Sequence, residues 1–158
     1  MDDQAKQGLI YAMRLLSISK KSEKRIREKL KEKGYSQNSI EEVTGELKTK
    51  GILDDLKFAK EKVYWAHHGN PVGKRRLKFE LKKHGVKDSQ ITEALEDIDP
   101  ASERDTAFSL AKTQAEKLKA LSPIQRKKRL YDFLARRGFD YEICREIVTS
   151  LDKRIENN

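Results

Sequence analysis

A ten-residue phrase occurs three times in this 158-residue chain and constrains its fold more than any other feature. Each copy has two aliphatic residues four positions apart, then a glycine four positions later and an apolar residue after it. The copies occupy residues 26–35, 77–86 and 130–139. A period of about 50 residues is typical of arrays in which one supersecondary unit is repeated along the chain.

The spacing within the phrase predicts a helix that ends at the glycine. Apolar residues recur three and four positions apart throughout the chain, which favours helices over strands. Glycine readily adopts the left-handed conformation that closes a helix, so each phrase reads as one helix and its stop. Apolar stripes on either side predict a helix before and after it. We therefore expect an all-α protein of three tandem three-helix repeats, spanning residues 1–53, 54–99 and 100–158.

The composition excludes several other classes of protein. The chain is 36% hydrophobic and 39% charged, and each repeat is too small to be robust alone, so neighbouring repeats should pack together. The single cysteine, Cys144, falls where the other repeats have isoleucine and is interpreted as a buried apolar residue. No spacing of cysteine and histidine suggests zinc, and we expect no cofactor. Without a membrane-length apolar run or signal-peptide pattern, the sequence predicts a cytoplasmic monomer that does not associate with membranes.

Positive charge is concentrated at the same place in each repeat. Residues 20–33 carry a net charge of +5, residues 74–87 carry +6, and residues 126–137 carry +5. The whole chain carries +9, so the remainder is net negative at −7. Three basic segments in register are better explained by a polyanion or an acidic protein surface as partner than by ordinary solvated helix faces.

Several residues that could carry chemistry have simpler interpretations. Asp54 and Asp55 are interpreted as caps of the helix that follows them rather than as a metal or acid–base pair. Tyr64 and Trp65 are interpreted as packing residues, and Phe79 as packing between repeats. There is no phosphate-binding loop and no nucleophile elbow, so we do not expect an enzyme.

The pattern also limits how DNA could be bound. No repeated aromatic platform for single-stranded bases is visible. The predicted third helices are rich in glutamate, which repels phosphate and argues against a sequence-specific helix in the major groove. Contacts with DNA should therefore be electrostatic and independent of sequence. Direct, sequence-nonspecific DNA binding remains an alternative function.

The connection between the first two repeats resembles a known signature. Gly51-Ile52-Leu53-Asp54-Asp55-x-x-Phe58-Ala59 is similar to the signature of the bacterial RecX regulatory proteins, modulators of the RecA recombinase. The segments 81–86 and 134–139 and the first repeat also fit, so the resemblance covers roughly residues 8–151. One departure is that Gly73 is followed by lysine, where the family often has proline.

The resemblance implies an elongated, curved array that binds along the groove of the RecA–DNA filament. It implies inhibition of RecA ATPase, strand exchange and co-protease activity in DNA repair, recombination and the SOS response. The implied partners are the RecA filament and its single- or double-stranded DNA. The expected contact residues are Lys24, Arg25, Arg27, Lys74, Arg75, Arg76, Lys78, Lys82, Arg126, Lys128, Arg129, Arg136 and Arg137. The expected structural signature residues are Asp54, Asp55, Phe58, Ala59, Gly85 and Gly138.

Overall fold

The structure is a computed structural model that describes residues 1–156, with side chains as far as residue 154. Within this range it contains helices and no strand, which confirms the predicted all-α fold of three-helix repeats. The last two residues of the predicted third repeat, 157 and 158, lie outside the described residues. The helices are α1 (Asp3–Ile18), α2 (Glu23–Glu32), α3 (Gln37–Thr49), α4 (Asp55–Trp65), α5 (Lys74–Lys83), α6 (Asp88–Glu96), α7 (Pro100–Lys117), α8 (Pro123–Arg136) and α9 (Tyr141–Glu156).

Contacts between residues divide the chain into two compact units. Unit 1 comprises residues 1–61 and 81–94, and unit 2 comprises residues 62–80 and 95–158. The predicted second repeat therefore contributes to both units. Both predicted repeat boundaries fall in connections between helices. None of the described helices combines the length and apolar character needed to cross a membrane.

Serine side chains begin the three helices that follow short polar connections. Ser22, Ser36 and Ser122 each accept a hydrogen bond from the backbone amide three residues further on. Such a cap satisfies one of the unpaired amides in the first turn and contributes about 1 kcal/mol. The starts of α2, α3 and α8 are thus encoded locally in the sequence.

The glycine of the repeated phrase ends its helix in all three copies. Gly34, Gly85 and Gly138 have φ angles of 95°, 79° and 87°, in the left-handed region that favours glycine. The amide after each glycine donates to the carbonyl of the second aliphatic residue of the phrase, at 3.1, 3.1 and 3.2 Å. This bond is the hallmark of a Schellman motif, and it explains why the phrase keeps its spacing.

Each unit has its own apolar core. In unit 1 the core is formed by the apolar stripes of α1, α2 and α3, including Ile26, Leu30 and Leu47. In unit 2 it is formed by the stripes of α7, α8 and α9, including Leu130, Leu134 and Phe139. Cys144 is fully buried in this second core, and burial raises the pKa of its thiol, so it is an apolar core residue as predicted.

Candidate nucleic-acid interface

The arginines of α2 in unit 1 are held by carboxylates of the same unit. Arg27 donates to both carboxylate oxygens of Glu41 at 2.7 and 3.0 Å and to Glu23 at 2.9 Å, which ties α2 to α3. Hydrogen bonds from Arg27 also lower the pKa of Glu41. Arg25 pairs with Glu28 at 3.2 Å. These guanidinium groups are already neutralised within the chain.

The two lysines predicted for the interface in unit 1 are exposed but also have partners. Lys24 donates through Nζ to the carbonyl of Lys83 at 3.2 Å. Its side chain also covers Gly85, where an added Cβ would lie 2.8 Å from it. Lys82 lies 3.6 Å from Asp88. A partner would have to compete with these contacts.

Two predicted contact residues of α5 in unit 2 stabilise the unit itself. The guanidinium of Arg75 donates to the carbonyls of Ala135 and Phe139 at 2.7 and 3.1 Å, where α8 ends. It thereby satisfies carbonyls that a helix C-terminus leaves unpaired. The backbone amide of Lys74 donates to the carboxylate of Glu103, which is only 2% exposed, at 3.2 Å.

Arg126, at the start of α8, is also internal. It is 8% exposed and lies 3.8 Å from Asp152, which additionally pairs with Lys127 at 3.1 Å. The ion pair with Asp152 offsets the free-energy cost of burying the Arg126 charge, so removing Asp152 would strongly destabilise the fold. Arg126 therefore joins α8 to α9.

The remaining residues differ in how free their charges are. Arg76 pairs with Glu80 at 3.1 Å, and Arg137 lies over the ring of Phe133 and donates to the carbonyl of Pro71. Arg136 donates to the carbonyl of Asp132 at 3.3 Å. Among the thirteen predicted contact residues, three are exposed and form no ion pair or hydrogen bond with any described side chain. They are Lys78, Lys128 and Arg129, and we call them the free cations of unit 2.

The two aspartates of the signature cap two different helices. Asp54 accepts from the amide of Lys57 at 3.1 Å and begins α4, as predicted. The prediction for Asp55 is wrong, because its Oδ1 accepts from the amide of Glu23 at 2.9 Å, at the start of α2. Of the other signature residues, Phe58 and Ala59 are buried. The described residues contain no group of histidine, cysteine and acidic side chains that could hold a metal ion.

Asp55 gives a pH-dependent prediction. Burial raises the pKa of its carboxyl, so the folded state favours the protonated form. The contribution of Asp55 to stability should therefore fall as pH rises from about 4 through its raised pKa. Asp55→Asn keeps an acceptor for the Glu23 amide without the charge, so it should match wild type near pH 4 and be the more stable at pH 7.

Urea unfolding at the two pH values measures this difference. Asp55→Ala is the control, because it leaves the Glu23 amide without its partner and should be less stable than Asp55→Asn by about 1 kcal/mol at either pH. A wild type more stable than Asp55→Asn at pH 7 would show that the charge of Asp55 stabilises the fold.

Two glycines in unit 2 allow α5 and the end of α8 to approach closely. The amide of Gly73 donates to the carbonyl of Arg137 at 2.8 Å, and the amide of Arg75 donates to that of Gly138 at 3.0 Å. A Cβ on Gly73 would lie 2.4 Å from the backbone of Gly138, and one on Gly138 would lie 2.3 Å from the Cβ of Arg76. Sequence spacing identified Gly138 as a helix stop but did not reveal this approach.

The aromatic residues of α4 and α5 correct another prediction. Tyr64 and Trp65 are 55% and 64% exposed, so the expectation that they pack in the interior is wrong. Phe79 is 68% exposed, and the expectation that it packs between repeats is wrong as well. The spacing of Phe79 from Leu77 and Leu81 puts it off their apolar stripe, but the sequence does not show that the ring is uncovered.

Comparison with known proteins identifies the family. Models of the first, second and third three-helix domains of RecX match residues 9–47, 54–95 and 102–148. A "Regulatory protein RecX" from Chlorobium limicola is 33% identical over 95% of this chain and 92% of its own length. Its namesake from Mycolicibacterium smegmatis is 33% identical over 94% of this chain and 79% of its own.

Solved structures share the fold. The crystal structure of RecX from Lactobacillus salivarius superposes with a TM-score of 0.87 at 22% identity, covering 96% of this chain and 99% of that one. A second crystal structure, of a regulatory protein RecX, gives a TM-score of 0.84 and covers 92% of this chain and 71% of that one. With three domain models matched in order and relatives one-third identical along nearly the whole chain, this protein belongs to the RecX family of regulatory proteins.

Proposed function

We propose that this protein regulates the RecA recombinase by binding the RecA–DNA filament and inhibiting RecA ATPase, strand exchange and co-protease activity. Family membership supports a regulatory role. The free cations of unit 2 are the observation that supports a partner containing DNA. They lie on the two middle helices, α5 and α8, where the sequence concentrates its positive charge.

Unpaired surface cations are suited to a phosphate backbone. Lys78, Lys128 and Arg129 have no carboxylate partner among the described side chains, so a phosphate would displace only water and small ions from them. Release of the counterions condensed on DNA then favours binding. Helix α8 has five basic residues and one acidic residue, Asp132, so its exposed face attracts polyanions.

The last helix of the third repeat, α9, argues against a base-reading mode. On α9, Glu142 and Glu146 are exposed, and Glu146 pairs with Arg104 at 3.1 Å. Carboxylates on this helix would repel the phosphates that flank a major groove. Direct, sequence-nonspecific binding to naked DNA is the alternative that an experiment must separate from filament binding.

Filament binding can be separated from DNA binding by anisotropy of a labelled single-stranded oligonucleotide. The oligonucleotide is presented naked, coated with RecA and a slowly hydrolysed ATP analogue, or annealed to its complement. We expect binding to the RecA-coated form to be at least about tenfold tighter than to the other two, because several weak contacts along one filament add by avidity. Equal affinity for naked and coated DNA would favour direct DNA binding and contradict the proposal.

A further inference from the structure

Three aromatic side chains form an exposed cluster at the end of α4. The rings of Tyr64 and His68 are stacked, with centroids 4.2 Å apart and an interplanar angle of 19°. The ring of Trp65 lies 5.2 Å from that of Tyr64 at 85°. All three side chains are exposed to solvent. We call Tyr64, Trp65 and His68 the aromatic cluster; all of it belongs to unit 2.

The cluster is held in place by its own contacts. Nδ1 of His68 lies 2.7 Å from the carbonyl oxygen of Tyr64, at hydrogen-bonding distance, which fixes the histidine against the helix end. The stacked histidine in turn restricts the tyrosine ring. Side chains that are already ordered lose little conformational entropy when a ligand binds. The exposed rings thus form a preorganised surface.

The charge of the segment that carries the cluster indicates which ligand would use it. Residues 62–80, the continuous segment of unit 2 that carries the cluster, contain five lysines or arginines and one acidic residue, Glu80. This gives the segment a formal net charge of +4 and includes the free cation Lys78. An aliphatic protein surface would gain nothing from such charge, whereas a nucleic acid offers both phosphates and flat bases.

We propose that Trp65 and Tyr64 form a stacking site for the unpaired bases of single-stranded DNA, with His68 positioning the tyrosine. Unpaired bases have exposed π-faces, and stacking on an aromatic side chain is independent of base identity. Duplex DNA offers no such face because its bases are already stacked on each other. This inference rests on the proposed function, to which it adds a contact with bases.

Trp65 is the only tryptophan in the chain, so its fluorescence reports on this site alone. Wild-type protein is titrated with oligothymidylate, with an abasic phosphodiester of the same length and charge, and with duplex. We expect strong quenching by oligothymidylate and little by the other two. Trp65→Ala should weaken oligothymidylate binding about tenfold in anisotropy, while Trp65→Phe should retain most of it.

A matched control removes an exposed apolar side chain elsewhere in unit 2. Ile124→Ala should bind oligothymidylate as wild type does, since Ile124 is exposed and lies outside the cluster. Equal affinity for the oligothymidylate and the abasic strand, without quenching, would overturn the stacking site while leaving filament binding through cations intact. Weakened binding of Trp65→Ala to RecA-coated DNA, with unchanged binding to oligothymidylate, would also overturn it and assign the cluster to a protein contact.

Discussion

Replacing Gly138 by alanine is expected to destabilise unit 2 by at least about 3 kcal/mol. Two costs combine at this position. A non-glycine residue at a φ of 87° is strained, and the added Cβ would lie 2.3 Å from the Cβ of Arg76 and 2.5 Å from its backbone nitrogen. The backbone of α5 cannot move away without breaking the hydrogen bond from the Arg75 amide to the Gly138 carbonyl.

Alanine substitutions at two other glycines measure the backbone strain and the steric clash separately. Gly34 has the same place in the repeated phrase and a φ of 95°, but a Cβ there would meet nothing within 4 Å, so Gly34→Ala should cost only about 1 kcal/mol. Gly73 lacks a positive φ, yet its Cβ would lie 2.4 Å from the Gly138 backbone. We therefore expect Gly73→Ala to resemble Gly138→Ala rather than Gly34→Ala.

Denaturant unfolding followed by far-ultraviolet circular dichroism measures the three free-energy changes. The helical content of the folded variants serves as a check that each still folds. Equal effects of Gly34→Ala and Gly138→Ala would contradict the close approach of α5 to the end of α8, because backbone strain alone would then explain both.

The second large effect is expected from two free cations on α8. Lys128→Ala/Arg129→Ala should weaken binding to RecA-coated DNA and reduce the slope of log affinity against log salt by about 2, one for each lost phosphate contact. Both side chains are exposed and have no partner in the part of the chain that the structure describes, so their removal leaves no described carboxylate without a partner. Folding stability should change little.

A matched variant tests whether position matters beyond net charge. Lys112→Ala/Arg145→Ala removes two exposed cations of the same unit, but from α7 and α9 rather than from the middle helix. We expect this variant to keep the wild-type salt slope. An equal fall in slope for both double variants would show that the partner senses overall charge and that α8 is not a contact surface.

Much of the fold follows from local signals in the sequence. Serine caps such as Ser22 act on the amide three residues ahead, and the glycine stops act within one turn, so both can be recognised without tertiary contacts. The spacing of Leu130 and Leu134 fixes which face of α8 is buried for the same reason. These features depend on residues a few positions apart.

The candidate interface was less predictable because its residues are distinguished by distant partners. Arg75 and Lys78 are both basic residues of the segment 74–87. In the structure, however, Arg75 donates hydrogen bonds to carbonyls at least 60 residues away in the sequence, whereas Lys78 has no partner among the described residues. Arg126 likewise pairs with Asp152 on another helix. Asp55 was assigned to the wrong helix because the amide that it caps precedes it by 32 residues. Charge alone could not separate these roles.

ATP hydrolysis by RecA on single-stranded DNA, measured with increasing amounts of this protein, tests whether the chain regulates the recombinase. We expect hydrolysis to fall progressively with wild type and with Lys112→Ala/Arg145→Ala, and to require a higher concentration of Lys128→Ala/Arg129→Ala for the same inhibition. Hydrolysis that stays unchanged at every concentration of wild type, together with tight binding to bare duplex, would contradict regulation of the RecA filament.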